Sequence, residues 1–160
     1  MTEPNRKLHL YLPARDELDA RAALIGDPAT MTYNAAWGGT IPFPESARDA
    51  WYAHWIRQHD NKRYYRYLLD ENDTFVGEIA FHYDEKWGGY MAHVLIHARY
   101  RRRGYGREGL ELLCTAAKSR GIPVLYDDLA IDNPAIDLFL HAGFSEIART
   151  DQIILLKKEL

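Results

Sequence analysis

Polar and apolar residues alternate through Lys7-Leu8-His9-Leu10-Tyr11-Leu12, which predicts a first strand. Pro13 then opens a helix that runs to about Gly26, with Leu18, Ala22 and Ile25 on one stripe, and Asp27-Pro28 stops it. Residues 28–44 follow no period and hold Gly38-Gly39, Pro42 and Pro44 among Met31, Tyr33, Trp37 and Phe43. A loop of this length and aromatic content is expected to shape a binding site. Ser46 reads as the cap of a second helix, 47 to about 59, whose apolar side carries Trp51, Trp55 and Ile56. Three strands follow at 63–70, 75–83 and 90–97, and their short, turn-rich connectors make them antiparallel hairpins. Leu110, Leu113, Cys114 and Ala117 mark a helix that ends at Gly121. Residues 123–129 read as a strand, 134–141 as a helix stopped by Gly143, and 144–150 with 153–157 as a closing hairpin. The predicted order is β-α-α-β-β-β-α-β-α-β-β, a mixed α/β (α+β) layout with a centrally antiparallel sheet flanked by helices.

Composition narrows the class. The 160 residues fit a single domain, 1–160, large enough for a real core. With 47% hydrophobic and 27% charged residues the chain is not disordered, collagen-like or disulfide-rich. Cys114 is the only cysteine, so it forms no internal disulfide and supplies no zinc site alone. No apolar run approaches the ~18–20 residues that cross a bilayer, and Met1-Thr2-Glu3-Pro4-Asn5-Arg6-Lys7 has no apolar stretch behind it, unlike a signal peptide. A cytoplasmic protein without a membrane partner is the expectation. A net charge of −3 argues against a nucleic-acid partner.

That average conceals a concentration of charge. Of the 20 Lys and Arg residues, five are Arg99, Arg101, Arg102, Arg103 and Arg107. Gly104 and Gly106 lie inside the run, between a predicted strand and a predicted helix. Glycines let backbone come close to a ligand, and the helix start offers unpaired N–H groups to an anion. Arginines beside them add charge-assisted donors. The combination suits a pyrophosphate.

Arg101-x-x-Gly104-x-Gly106 in this setting resembles the acetyl-CoA motif of GNAT-type N-acetyltransferases. Asp132-Asn133-Pro134-Ala135-Ile136-Asp137-Leu138-Phe139-Leu140-His141-Ala142-Gly143-Phe144 resembles that family's second motif, an Asn-initiated helix ending in Gly-Phe. The resemblance is clearest over residues 75–157. It implies a GNAT-like acyl-CoA N-acyltransferase fold and direct transfer of acetyl from acetyl-CoA to a primary amine, with no metal. It also implies that the cofactor's pyrophosphate rests on the amides of Arg101, Arg102, Arg103, Gly104, Tyr105 and Gly106. The pantetheine would lie where strand 90–97 splays from strand 123–129, near Asn133. A backbone N–H of Ile96 or His97 would polarise the thioester carbonyl. Many members carry a tyrosine on the second-motif helix as general acid; here the position is Phe139, which packs on the cofactor but offers no hydroxyl. Another donor, such as Tyr126 or water, or no donor at all, must then serve the thiolate. A non-catalytic acyl-CoA-binding module is the alternative reading, and a nucleic-acid binder using the arginine loop is a third. A homodimer is compatible with the sequence.

An amine acceptor is mostly protonated at neutral pH, so a base is needed. Alternation places Gly77, Ile79, Phe81, Tyr83, Tyr90, Ala92, Val94 and Ile96 on a core face. The opposite face holds Glu78, Ala80, His82, Met91, His93, Leu95 and His97, and is expected to open toward substrate. Pairing Tyr83 with Tyr90 sets Ala80 opposite His93, with Glu78 diagonal to it. Glu78, with a pKa raised by partial burial, His93 and Asp128 are therefore the candidate catalytic groups; Asp127 or Asp128 is a candidate for holding a cationic acceptor. Tyr33, Asn34 and Trp37 are the candidate acceptor-binding residues. A small-molecule amine is favoured over a protein amino terminus.

Overall fold

The computed structural model describes residues 6–160, apart from the side chains of Ala36 and Trp37. The signal-peptide reading of residues 1–5 lies outside them. Among the described residues seven strands form one sheet: β1 (His9–Tyr11), β2 (Arg63–Leu69), β3 (Phe75–Asp84), β4 (Gly89–Ile96), β5 (Val124–Ala130), β6 (Ser145–Arg149) and β7 (Ile153–Glu159). Their order is β1-β2-β3-β4-β5-β7-β6. Every neighbouring pair is antiparallel except β4 and β5. A parallel pair cannot be closed by a tight turn and needs a crossover; α3 (Tyr105–Ser119) supplies it.

The β3–β4 hairpin pairs Tyr83 with Tyr90 and Ala80 with His93, as the alternation predicts. Its apolar face carries Ile79, Phe81, Ala92 and Ile96 against Leu110, Leu113, Cys114 and Ala117 of α3. Gly109 allows this approach, because a Cβ there would sit 2.9 Å from Leu68 Cδ1. The other face departs from expectation in part: most of it is a second core, while His93 keeps its side chain 39% exposed. Tyr65, Tyr67 and Ala80 lie under Trp51 and Trp55, and Leu95 packs with Leu24, Ile25 and Met31. The apolar stripes of α1 (Asp19–Ile25) and α2 (Glu45–Tyr52) must be buried somewhere, and this face is where they go.

Local boundaries differ too. A 3₁₀ turn, Arg15–Glu17, precedes a shorter α1. α2 starts at Glu45 with Pro44 in the cap position (φ −67°, ψ 156°), so Ser46 sits inside the first turn instead of capping it. Proline's fixed φ already suits the helix entrance. After Tyr52 the helix widens into a π turn, Ala53–Arg57. Within residues 28–44, Thr30–Trp37 forms a 3₁₀ helix anchored by the Asp27 carboxylate, which accepts from the Thr30 N–H (3.1 Å) and hydroxyl (2.5 Å).

Candidate active site

β4 and β5 are paired only at Tyr90/Leu125 and Met91/Tyr126 and then part. Between them opens a cavity of about 720 Å³. Its walls are residues 92–96 of β4, 127–130 of β5, the loop residues Tyr100 to Arg102 and Gly104 to Arg107, and α4 (Ile136–His141) through Leu138 and Phe139, with Asn133 before it. The split expected between strands 90–97 and 123–129 is therefore present. His97 donates its N–H to the Val76 carbonyl (2.8 Å), which commits that group to β3. Alternation along an antiparallel ladder then turns the N–H groups of Ile96 and Val94 to the β5 side, where β5 has moved away. Ile96 keeps its expected place beside the gap, His97 does not line the cavity, and Val94 is a donor the sequence reading missed.

The arginine–glycine loop closes one end. Gly104 takes φ 82° and caps α3. A Cβ at Gly104 would meet no protein atom within 4 Å, so its surface is open to a ligand. The first α3 hydrogen bond runs from the Glu108 N–H to Gly104 (3.1 Å), leaving earlier amides unpaired within the helix. Gly104, Tyr105, Gly106, Arg101, Arg102 and Arg107 line the cavity. Positive charge, open backbone and a helix N-terminus fit a diphosphate. The arginines divide their work. Arg101 donates to the Ile96 carbonyl (3.2 Å) and the Thr30 carbonyl (2.8 Å), so it braces the loop against the 3₁₀ helix. Arg103 lies over the Tyr100 ring at 5.6 Å and is not part of the cavity wall. Asn133 lines the cavity while its Oδ1 accepts from the Ala135 N–H (2.9 Å). Phe139, 2% exposed, packs edge-on against Phe144 and completes the wall.

Glu78 is 1% exposed and does not reach the cavity surface. Its Oε1 faces His93 Nε2 at 3.2 Å; its Oε2 accepts from the Tyr65 hydroxyl and lies 3.3 Å from Arg21 Nε. Burial pushes the Glu78 pKa up, but the Arg21 charge, His93 and the Tyr65 hydroxyl outweigh it and hold the carboxyl below its ordinary value. This reverses the expected direction. His93, with its side chain 39% exposed, is the member of this group that lines the cavity. Arg21 went unnoticed in the sequence, although it shares the helical face of Leu18, Ala22 and Ile25, where a charge signals a buried partner. His82 instead packs edge-on against Trp55, and burial lowers its pKa.

Across the cavity Asp127 and Asp128 both contribute to the β5 wall. Burial, with the Asp128 charge beside it, raises the Asp127 pKa well above the ordinary range. Tyr33 and Asn34 line the cavity as well; Asn34 also donates its amide to the Gly39 carbonyl (2.8 Å). Burial, Glu78 and Asp127 raise the Tyr33 phenol, which keeps its proton. The Trp37 side chain lies outside the described residues. Tyr126, the named alternative proton donor, faces a smaller hollow with Trp87, Met91, Ile147 and Leu155 and is absent from the main cavity.

Residues 7–145 match the family model described as an acetyltransferase (GNAT) domain. A sequence search among curated proteins finds no match. Similar solved structures include spermidine N-acetyltransferase from Vibrio cholerae in complex with CoA and spermine (TM-score 0.78, 17% identity, covering 96% of this chain and 95% of that one). An N-acetyltransferase from Staphylococcus aureus has a TM-score of 0.76 at 19% identity, covering 96% and 99%. PaiA N-acetyltransferase from Thermoplasma acidophilum, in complex with coenzyme A, has a TM-score of 0.70 at 11% identity, covering 97% and 100%. At these identities the structural likeness speaks for the fold.

Proposed function

This chain belongs to the GNAT acetyltransferase family, and we propose that it moves an acetyl group directly from acetyl-CoA to the primary amine of a small molecule. The observation that carries the reading is the split between β4 and β5, whose cavity is lined both by the Gly104 loop and by Tyr33, His93 and Asp128. Bound acetyl-CoA supplies an acyl group already activated as a thioester.

The protein's own residues then have distinct tasks. Amides at the start of α3, with Arg102 and Arg107, hold a diphosphate, while Arg101 in the same wall braces the loop. Phe139 and Asn133 bound the channel. The N–H groups of Val94 and Ile96 provide donors for a carbonyl oxygen that gains negative charge during acyl transfer. The exposed Asp128 carboxylate attracts a cationic acceptor, and the acceptor's ammonium loses its proton on the His93 side of the cavity before its nitrogen bonds to the acyl carbon. Phe139 carries no proton, and Tyr33 is the protonated hydroxyl at the rim.

The cover of α1, α2 and the 3₁₀ helix over the second sheet face supports a small acceptor over a protein terminus. The test is an acceptor screen with acetyl-CoA held saturating, reading free thiol against small primary amines and against peptides with free amino termini. Turnover on at least one small amine is expected. Acetyl-CoA binding in calorimetry with turnover on peptides only, or on no amine, overturns the proposal.

A further inference from the structure

The cavity wall exposes an imidazole whose back is held by a buried, charged apparatus. Glu78 is enclosed between β2 and β4, and its carboxylate oxygens are divided among three partners. Oε2 accepts from the Tyr65 hydroxyl and lies 3.3 Å from Arg21 Nε; Oε1 is 3.2 Å from His93 Nε2. Arg21 sits in an aromatic box, its guanidinium carbon 4.7 Å from the Phe43 ring centre and 4.6 Å from that of Trp51. Its Nε is buried and makes no hydrogen bond with adequate geometry. Arg21 therefore gives Glu78 its charge more than its alignment; Tyr65 and the strand give the alignment. A buried arginine is costly unless it neutralises a buried anion, so the pair implies an ionised Glu78.

An ionised carboxylate only accepts hydrogen bonds. The nitrogen facing it, His93 Nε2, must then carry hydrogen, which leaves Nδ1 with the lone pair. Resting on the acetyltransferase reading above, we propose that His93 is the general base, that Glu78 is a positioning residue that fixes its tautomer, and that Arg21 is a positioning residue that keeps Glu78 ionised. Nδ1 takes one proton from the acceptor's ammonium and frees the nitrogen lone pair. The resulting imidazolium faces the Glu78 carboxylate until it passes the proton to solvent. No further reactant is required.

The surroundings of His93 are mixed. Glu78 and His82 come from β3, Tyr65 from β2, Arg21 from α1, Tyr33 from the 3₁₀ helix, and Asp127 and Asp128 from β5. Glu78 is the one with a ring nitrogen in direct contact.

The test is imidazole ¹⁵N NMR of the CoA-bound protein, with His93→Gln assigning the signals, alongside the rate of transfer to the best amine of the screen. In the wild type the neutral ring is expected to be protonated on Nε2. In Glu78→Gln the Nε2–H preference should be lost, because the amide side chain can donate as well as accept. The rate at pH 7 should fall about ten- to a hundredfold, and His93→Gln should lose at least as much. Arg21→Lys, which keeps the charge, should preserve the tautomer. Acetyl-CoA affinity by calorimetry should hold in every variant, which separates failure here from failure of the acetyltransferase reading. An unchanged His93 tautomer in Glu78→Gln, or near-normal turnover in His93→Gln, overturns the proposal.

Discussion

Asp127 lines the cavity and Glu78 lies buried beneath its wall, and the fold treats these two carboxylates oppositely. Glu78 gains Arg21, Tyr65 and His93, so its pKa is lowered. Asp127 gains burial and the neighbouring Asp128 charge, so its pKa is raised well above the ordinary carboxylate value. The signs of the linkage follow. Glu78 contributes stability above its ordinary pKa of about 4.3, and that contribution fades as pH falls through the lowered value. Asp127 contributes in full below about 3.9, and its contribution is lost as pH climbs through the raised value. Asp127→Asn removes the ionisation while keeping size. It should raise the urea midpoint at pH 8 relative to wild type, with the advantage shrinking toward pH 4. An equal midpoint difference at both pH values, or none, would show that Asp127 ionises without cost. Direct alternation in the hairpin already placed Glu78 beside His93. Its full burial was not legible, because what covers β3 comes from α1 and α2, which lie far from it in the chain.

At the level of elements, α3 couples the core to the loop that faces the ligand. Gly104 and Gly109 lie on this one helix and differ in what a methyl group would meet. At Gly109 the added Cβ would press on Leu68 (2.9 Å) and Ile79 (3.5 Å), so Gly109→Ala should cost about 1–3 kcal/mol of stability through overpacking. At Gly104 it would meet no protein atom, so Gly104→Ala should cost only the left-handed backbone conformation, about 1–2 kcal/mol. Affinity should follow the reverse order, with Gly104→Ala weakening acetyl-CoA and Gly109→Ala leaving it nearly intact in folded protein. Urea unfolding and calorimetry on both variants check the contrast; a Gly104→Ala protein with wild-type affinity would move the diphosphate elsewhere. The glycine–arginine loop could be read from sequence because its signal is local. The division of labour among its arginines could not. Arg101 bonds Thr30 across seventy-one positions, and nothing near Arg101 announces that partner. Ser46 misled for a related reason, since its cap-forming chemistry was overridden by the backbone geometry of Pro44 two residues earlier.

Over the whole molecule the sheet is nearly two sheets. β1 to β4 form one antiparallel block and β5 to β7 another, joined by backbone pairing at only two positions. The α3 crossover and the Phe139–Phe144 contact of the second motif help hold the blocks together, with Phe139 in the same core cluster as Leu110 and Leu125. A ligand in the gap touches both blocks, so it should act as a clasp. At a hundred times its dissociation constant, a ligand that binds only the folded state adds about 2.7 kcal/mol. For a domain of this size that corresponds to a rise of roughly 5–11 °C in melting temperature, at about 2–4 °C per kcal/mol. Saturating CoA should produce such a shift in a thermal scan, and Gly104→Ala should show a smaller one at the same concentration. Hydrogen exchange locates the effect. The amides of Val94 and Ile96 have no strand partner on the β5 side, so they should exchange readily in the free protein and slow when CoA fills the gap, while the His97 amide, already bonded to Val76, should respond least. A melting shift without slowing at Val94 and Ile96 would place CoA outside the split.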